Sequence, residues 1–246
     1  MIPKTIHYCW FGRNPLPASA VKCIESWRKF FPDYEIKEWN EDNFDIDSIP
    51  YTSEAYKARK YAFVSDYARF WILYKYGGIY FDTDVEVIRP MDDIIARGAF
   101  MGVEVVWKYP QVAPGLGIGV EPGHRLYKQA IDHYKNTSFV IEDGVIKHES
   151  IVPMTTRLLI EAGLQPGGEL QEVDGIWIYP VDFFNPFDDV KGVLRKTPNT
   201  RSIHWYAATW QQRNPFKKWL SRFVHRVFGL RFIYIISTWL KRTKTR

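Results

Sequence analysis

Apolar positions recur with two different periods over the first 212 residues. Residues 6–11 form a short apolar run ending at Gly12, the pattern of a buried strand. Residues 18–31 carry helical spacing and stop at Pro32; residues 34–39 predict a second strand. Ser53 is a candidate N-cap for a long helix running to Tyr76, closed by Gly77-Gly78. Residues 79–88 predict one continuous strand, which Pro90 ends. Further strands are predicted at 99–106, 117–120, 176–179 and 202–205, and helices at 123–134 and 151–162. Strands alternating with helices predict an α/β protein built on a mostly parallel sheet covered on both faces. No internal repeat or Gly/Ser/Pro-rich linker interrupts residues 1–212, which are expected to form one domain.

Composition narrows the class. At 46% hydrophobic and 25% charged residues, the chain is not a disordered or low-complexity one. The two cysteines, Cys9 and Cys23, are too few for a disulfide scaffold and lack metal-ligand spacing, so they are expected to be reduced buried thiols in a cytosolic protein. The first ten residues do not have the make-up of a secretory signal.

The net charge of +5 conceals an asymmetry. Residues 213–246 hold ten Lys and Arg and no acid, leaving residues 1–212 at −5. Within that tail Phe216, Trp219, Leu220, Phe223, Val224, Val227 and Phe228 fall on one helical face. Lys217, Lys218, Arg222, His225 and Arg226 take the other, and Gly229 is placed to end the helix. The apolar run at 232–240 is too short to span a hydrocarbon core, which needs about 20 residues. This pattern suits an amphipathic helix lying on an anionic membrane surface. A helix packed on its own domain is the alternative. Nucleic acid fits less well, because the aromatics are segregated from the basic residues.

Candidate chemistry concentrates in Tyr80-Phe81-Asp82-Thr83-Asp84-Val85-Glu86. In one strand Asp82, Asp84 and Glu86 would form an acidic row on the face of Tyr80. Carboxylates among apolar neighbours are costly unless a cation compensates them, so a divalent metal, magnesium or manganese, is expected. A solvated acidic edge strand is the plain alternative. Just upstream, Asp66 and Arg69 are helix neighbours at i and i+3, alone compatible with a structural ion pair. His204 ends a predicted strand and could join a manganese shell.

Taken together, Ile6-His7-Tyr8-Cys9-Trp10-Phe11-Gly12, Ser65-Asp66-x-x-Arg69, Tyr76-Gly77-Gly78-Ile79-Tyr80-x-Asp82-x-Asp84 and a late His204-x5-Trp210 resemble glycosyltransferase family 32. The resemblance covers residues 2–90 and 201–212 best. It implies a GT-A fold, a Rossmann-like mostly parallel sheet flanked by helices, and sugar transfer from a nucleotide sugar with retention of configuration. It implies that Trp10 stacks on the nucleobase, that Asp66 and Arg69 hold the donor sugar, and that Tyr80 lies in the nucleotide-sugar site. Asp82 would meet ribose or metal-bound water, and Asp84 the metal. His204 and Thr209 would complete the metal and diphosphate site under Trp210. Where the family more often has His-His-Trp-Ala-Gly-Ser-Trp, this chain has His204-Trp205-Tyr206-Ala207-Ala208-Thr209-Trp210, keeping the first His, the hydroxyl and the last Trp.

The expected activity is transfer of galactose or glucose from a UDP-sugar to a lipid-linked glycan in surface polysaccharide synthesis. A catalytic domain of residues 1–212 would be held by the 213–246 tail at the inner face of the cell membrane. Two other classes compete. Asp82-x-Asp84 resembles the nucleophile motif of haloacid-dehalogenase phosphatases, although Glu86 departs from it and no downstream Lys and paired-Asp set follows. A non-catalytic membrane adaptor would leave the acidic row unexplained.

Overall fold

The computed structural model describes residues 1–106, 109–139, 141–142, 145–146 and 149–207. The chain opens with a strand–helix–strand unit, β1 (Thr5–Cys9), α1 (Ala18–Phe30) and β2 (Glu35–Trp39). β1 and β2 pair in parallel, from Thr5 opposite Glu35 to Cys9 opposite Trp39. Arg28 and Lys29 in the last turn of α1 face the negative end of its dipole, and Phe31 N–H closes it on Trp27 O at 2.8 Å.

Two helices follow, α2 (Pro50–Lys57) and α3 (Tyr61–Tyr76), where the apolar pattern predicts one. Pro50 opens α2, a position that needs no N–H donor, and Ser53 is no cap: its hydroxyl donates to Asp47 Oδ1 at 2.6 Å. The break falls at Arg59, held at φ 57°, with Lys60 N–H bonded back to Ala55 O at 2.9 Å. A left-handed residue ends a helix as glycine often does, but arginine gives no such signal in sequence.

α3 returns to β3 (Gly78–Tyr80) through Gly77 and Gly78, at φ 65° and 100°. A Cβ on Gly78 would lie 2.6 Å from Thr5 O, so glycine is what lets β3 close on β1. β3 pairs in parallel with β1 on the side away from β2. The chain thus leaves β1 in one direction and returns on the other. The carboxyl ends of β1 and β3 meet at this switch point, where open α/β sheets hold ligands.

The continuous strand predicted over residues 79–88 is not formed. β3 stops at Tyr80, a turn closes with Val85 N–H on Asp82 O at 3.0 Å, and β4 (Val85–Val87) leaves the main sheet. Alternation with period two passes unchanged through such a turn, so the pattern alone cannot show it. Glu86 is consequently separated from the expected acidic row. It pairs with Lys22 Nζ at 3.3 Å and accepts from Trp205 Nε1 at 2.8 Å.

The remaining elements are α4 (Asp92–Ile95), β5 (Ala99–Val106), β6 (Tyr109–Val112), β7 (Ile118–Val120) and α5 (Arg125–Lys135), then the hairpin β8 (Ile141–Glu142) and β9 (Val145–Ile146). They continue with α6 (Ile151–Glu161), β10 (Gln171–Val173), β11 (Ile176–Tyr179), α7 (Val181–Phe184), the pair β12 (Phe187–Asp188) and β13 (Val193–Leu194), and β14 (Ser202–His204). The main sheet runs β10-β11-β5-β7-β3-β1-β2, with β6 beside β5. β5 and β11 run with the first three strands, while β6, β7 and β10 run against them. Five of the eight described strands of this sheet therefore share a direction, and the expected α/β arrangement on a mostly parallel sheet holds. The reversed β7 between β3 and β5 is what the pattern does not show. β14 pairs antiparallel with β4, placing His204 opposite Val85.

Two apolar layers pack the sheet. One joins α2, α3, α5 and α6 through Ala55, Phe70, Tyr127 and Leu159; the other joins α1, α4 and α7 through Trp27, Ile94 and Phe184. Cys9 and Cys23 are free and buried, as expected, and burial pushes both thiols up to about 12. Among the described residues no helix is long and apolar enough to cross a membrane.

Candidate active site

The buried arginine of α3 organises the site. Arg69 is 4% exposed, and its Nη2 lies 3.0 Å from Asp66 Oδ1 and 3.1 Å from Asp82 Oδ1. Nε donates to Ser65 O at 3.2 Å, and the guanidinium sits 4.9 Å over the Tyr80 ring. Asp66 and Asp82, which arrive from a helix and from the turn after β3, are thus held by one cation. That geometry sets their roles apart from Arg69: the guanidinium is occupied with its neighbours, while Asp82 keeps 27% exposure toward the opening. Burial raises the Asp66 carboxyl to about 7; Arg69 opposes the shift and the Asp82 charge adds to it.

Asp84 and His204 form the second half. His204 Nε2 lies 3.1 Å from Asp84 Oδ1, and Asp84 Oδ2 accepts from Ala207 N–H at 2.8 Å. Burial works to raise the Asp84 carboxyl, but His204 and the Ala207 N–H outweigh it and hold it below the ordinary range. Burial likewise works to lower His204, and the adjacent Asp84 carboxylate outweighs it, raising the imidazole. Ligand atoms of Asp82, Asp84 and His204 all lie within 4.8 Å of one another.

The divalent ion implied by the resemblance fits this donor set. Two carboxylates and an imidazole suit manganese, and the excess of carboxylates over Arg69 leaves a site that attracts a cation. Among the described residues His204 Nδ1 is buried with no hydrogen-bond partner, while Nε2 faces the Asp84 carboxylate.

The other expected residues fall around this centre in different ways. Trp10 follows β1 at the switch point, half-buried, with its indole N–H donating to Asn14 O at 2.6 Å. Tyr80 is 1% exposed, and its hydroxyl donates to Asp82 Oδ1 at 3.1 Å, so it supports a site carboxylate from below. Thr209, Trp210 and the predicted membrane helix lie outside the described residues.

Two neighbours were not singled out in the sequence. Gly115, in the 3₁₀ turn Pro114–Leu116, presses its backbone on the pair: a Cβ there would overlap Asp82 Oδ2 and sit 3.4 Å from Arg69 Nη1. Glu104 of β5 accepts from the Tyr206 hydroxyl at 2.8 Å. Its signal was available, as a lone carboxylate inside an apolar strand.

Comparisons with known proteins agree with the sequence resemblance. Residues 17–101 match the family described as "glycosyltransferase sugar-binding region containing DXD motif", a span holding Asp66, Arg69, Asp82 and Asp84. The chain is 36% identical over 104 residues to inositol phosphoceramide mannosyltransferase 3 of Schizosaccharomyces pombe, covering 41% of this chain and 29% of that protein. It is 26% identical over 198 residues to the uncharacterized glycosyltransferase L373 of Acanthamoeba polyphaga mimivirus, covering 75% and 76%. Among solved structures the PaToxG glycosyltransferase superposes over 65% of this chain and 69% of its own, with 15% identity and a TM-score of 0.47. The chain spans about a third of the length of the fission-yeast mannosyltransferases it matches.

Proposed function

We propose that this chain, which carries a glycosyltransferase sugar-binding region with its DXD motif, is a metal-dependent hexosyltransferase using a nucleotide sugar. The observation that carries the proposal is the convergence of Asp82, Asp84 and His204 within 4.8 Å, beside the Asp66–Arg69–Asp82 clamp. Asp84 and His204 would hold the ion, with Asp82 reaching it directly or through water. When bound, the ion would supply positive charge to the departing diphosphate.

The chain's own residues do the rest. Arg69 fixes Asp66 and Asp82 in one orientation, so that they can accept hydrogen bonds from sugar hydroxyls without reorganising. Trp10, at the end of β1, offers a flat surface to the nucleobase. In the transfer, the bond from the anomeric carbon to the diphosphate breaks and a bond to the acceptor oxygen forms. The acceptor's proton leaves on the departing phosphate oxygen. Asp66 and Asp82 are both tied to Arg69, and Asp82 also to Tyr80, so their carboxylates are engaged with neighbours rather than free to attack the anomeric carbon. This supports a front-face displacement with retention. It also counts against a phosphatase working through Asp82.

The relatives' names bring mannose into consideration beside glucose and galactose, and a lipid acceptor fits both those names and the basic tail. The test is nucleoside diphosphate release from UDP-glucose, UDP-galactose and GDP-mannose, with and without manganese. One donor should be cleaved only with metal. Asp84→Ala should lower that rate by on the order of a hundredfold or more, equivalent to roughly 3 kcal/mol. Full activity of the variant in excess chelator would sink the assignment.

A further inference from the structure

The segment after β14 turns back on the metal site through a residue whose backbone is unfavourable for it. Tyr206 sits at φ 49°, a left-handed conformation that a bulky side chain rarely adopts. Such a conformation persists only where surrounding contacts over-determine it. Here the contacts are specific. Asn185 Nδ2 donates to the Tyr206 hydroxyl at 2.8 Å, and that hydroxyl donates to Glu104 Oε2 at 2.8 Å. The Tyr206 ring lies against the His204 imidazole, with centroids 4.1 Å apart. On either side, Trp205 N–H donates to Asp84 O at 3.0 Å and Ala207 N–H to Asp84 Oδ2 at 2.8 Å. The left-handed turn is what returns the Ala207 N–H to the same aspartate that His204 touches.

We infer that Tyr206 is a positioning residue for the metal site: anchored by Glu104 and Asn185, it sets the turn that holds both His204 and the Ala207 N–H against Asp84. Glu104 and Asn185 come from β5 and from the end of α7, so the anchor fixes the late His204 segment to the main body of the fold. Tyr206 acts through His204 and Asp84, as outer partners of metal ligands do when they fix ligand orientation. This inference rests on the metal-dependent reading above.

The test is manganese affinity of the full chain without donor, by calorimetry or by loss of the free-ion electron paramagnetic resonance signal. Tyr206→Phe keeps the ring and removes the anchor, and should weaken manganese binding about tenfold or more. Its melting temperature without metal should stay near that of wild type. Glu104→Ala should lose as much, Glu104→Gln should retain affinity because its amide oxygen still accepts from the hydroxyl, and Tyr206→Phe with Glu104→Ala should lose little more than either alone. Unchanged affinity in Tyr206→Phe overturns the inference. If that variant fails to fold, the Glu104 pair decides: equal losses in Glu104→Ala and Glu104→Gln would make Glu104 itself a ligand and overturn it. Failure of wild type to bind manganese removes the metal-dependent reading and this inference with it.

Discussion

Gly115 shows how closely the site carboxylates are packed. Its backbone occupies the space beside Asp82 Oδ2, and Asp82 cannot simply swing aside because Arg69 and Tyr80 hold it. Gly115→Ala adds one carbon and should displace the Asp82 carboxylate from Arg69. Donor cleavage should fall at least about tenfold, the cost of roughly 1.4 kcal/mol in transition-state stabilisation, with the melting temperature little altered. An unchanged rate would show that Asp82 has freedom to move without consequence. The same scale explains what the sequence disclosed. Asp82 and Asp84 were legible because carboxylates among apolar neighbours are costly and so point to a purpose, whereas Asp66, Arg69 and His204 were drawn to the site by the family resemblance. Gly115 was not, since a glycine in a Pro-Gly turn reads as punctuation, and its contact with Asp82 depends on how β7 returns across the sheet.

At the scale of elements, His7 locks β1 to its surroundings. Trp39 Nε1 can only donate, so His7 Nδ1 accepts from it at 3.1 Å, and Nε2–H donates to Gly77 O at 3.0 Å. The lock works only for the neutral ring, and burial lowers His7 to about 4. Because the unfolded chain takes up this proton near 6.5, the contribution of His7 is complete above that pH and is lost as pH falls toward 4. Between pH 7 and 4.5 wild type should lose roughly 2 kcal/mol more stability than His7→Gln, whose amide can make both bonds. Parallel acid limbs in thermal melts would refute this. Most strands and helices were legible from periodicity. The elements misread, the broken helix at Arg59 and the broken strand at Asp82, both turn where no glycine or proline marks the break. The reversal of β7 lay beyond the pattern as well, because strand direction is settled by pairing partners far away in sequence.

For the whole molecule the uneven charge matters most. Residues 1–212 are acidic and residues 213–246 carry ten cations, so an anionic bilayer would attract one end of the chain only. We propose that this tail holds the enzyme at a membrane face where a lipid acceptor is presented. Each basic residue contributes about 1 kcal/mol near an anionic surface, screened by salt. The full chain should therefore sediment with anionic vesicles more than with neutral ones, and high salt should release it only in part, since burial of the apolar side chains of Phe216, Trp219, Leu220 and Phe223 is insensitive to salt. Truncation after Gln212 should abolish sedimentation while donor cleavage persists. Loss of folding on truncation would instead make the tail a packed part of the domain.

The antiparallel pairing of β14 with β4 also carries a consequence for assembly. Asp66, Arg69, Asp82 and Asp84 lie close together in sequence, and the half of the site they build can form from local encounters. His204 joins them only after a loop of more than a hundred residues has closed, the slowest kind of contact to make. In refolding from denaturant, the helical signal should therefore recover before the capacity for the divalent-metal capture proposed above.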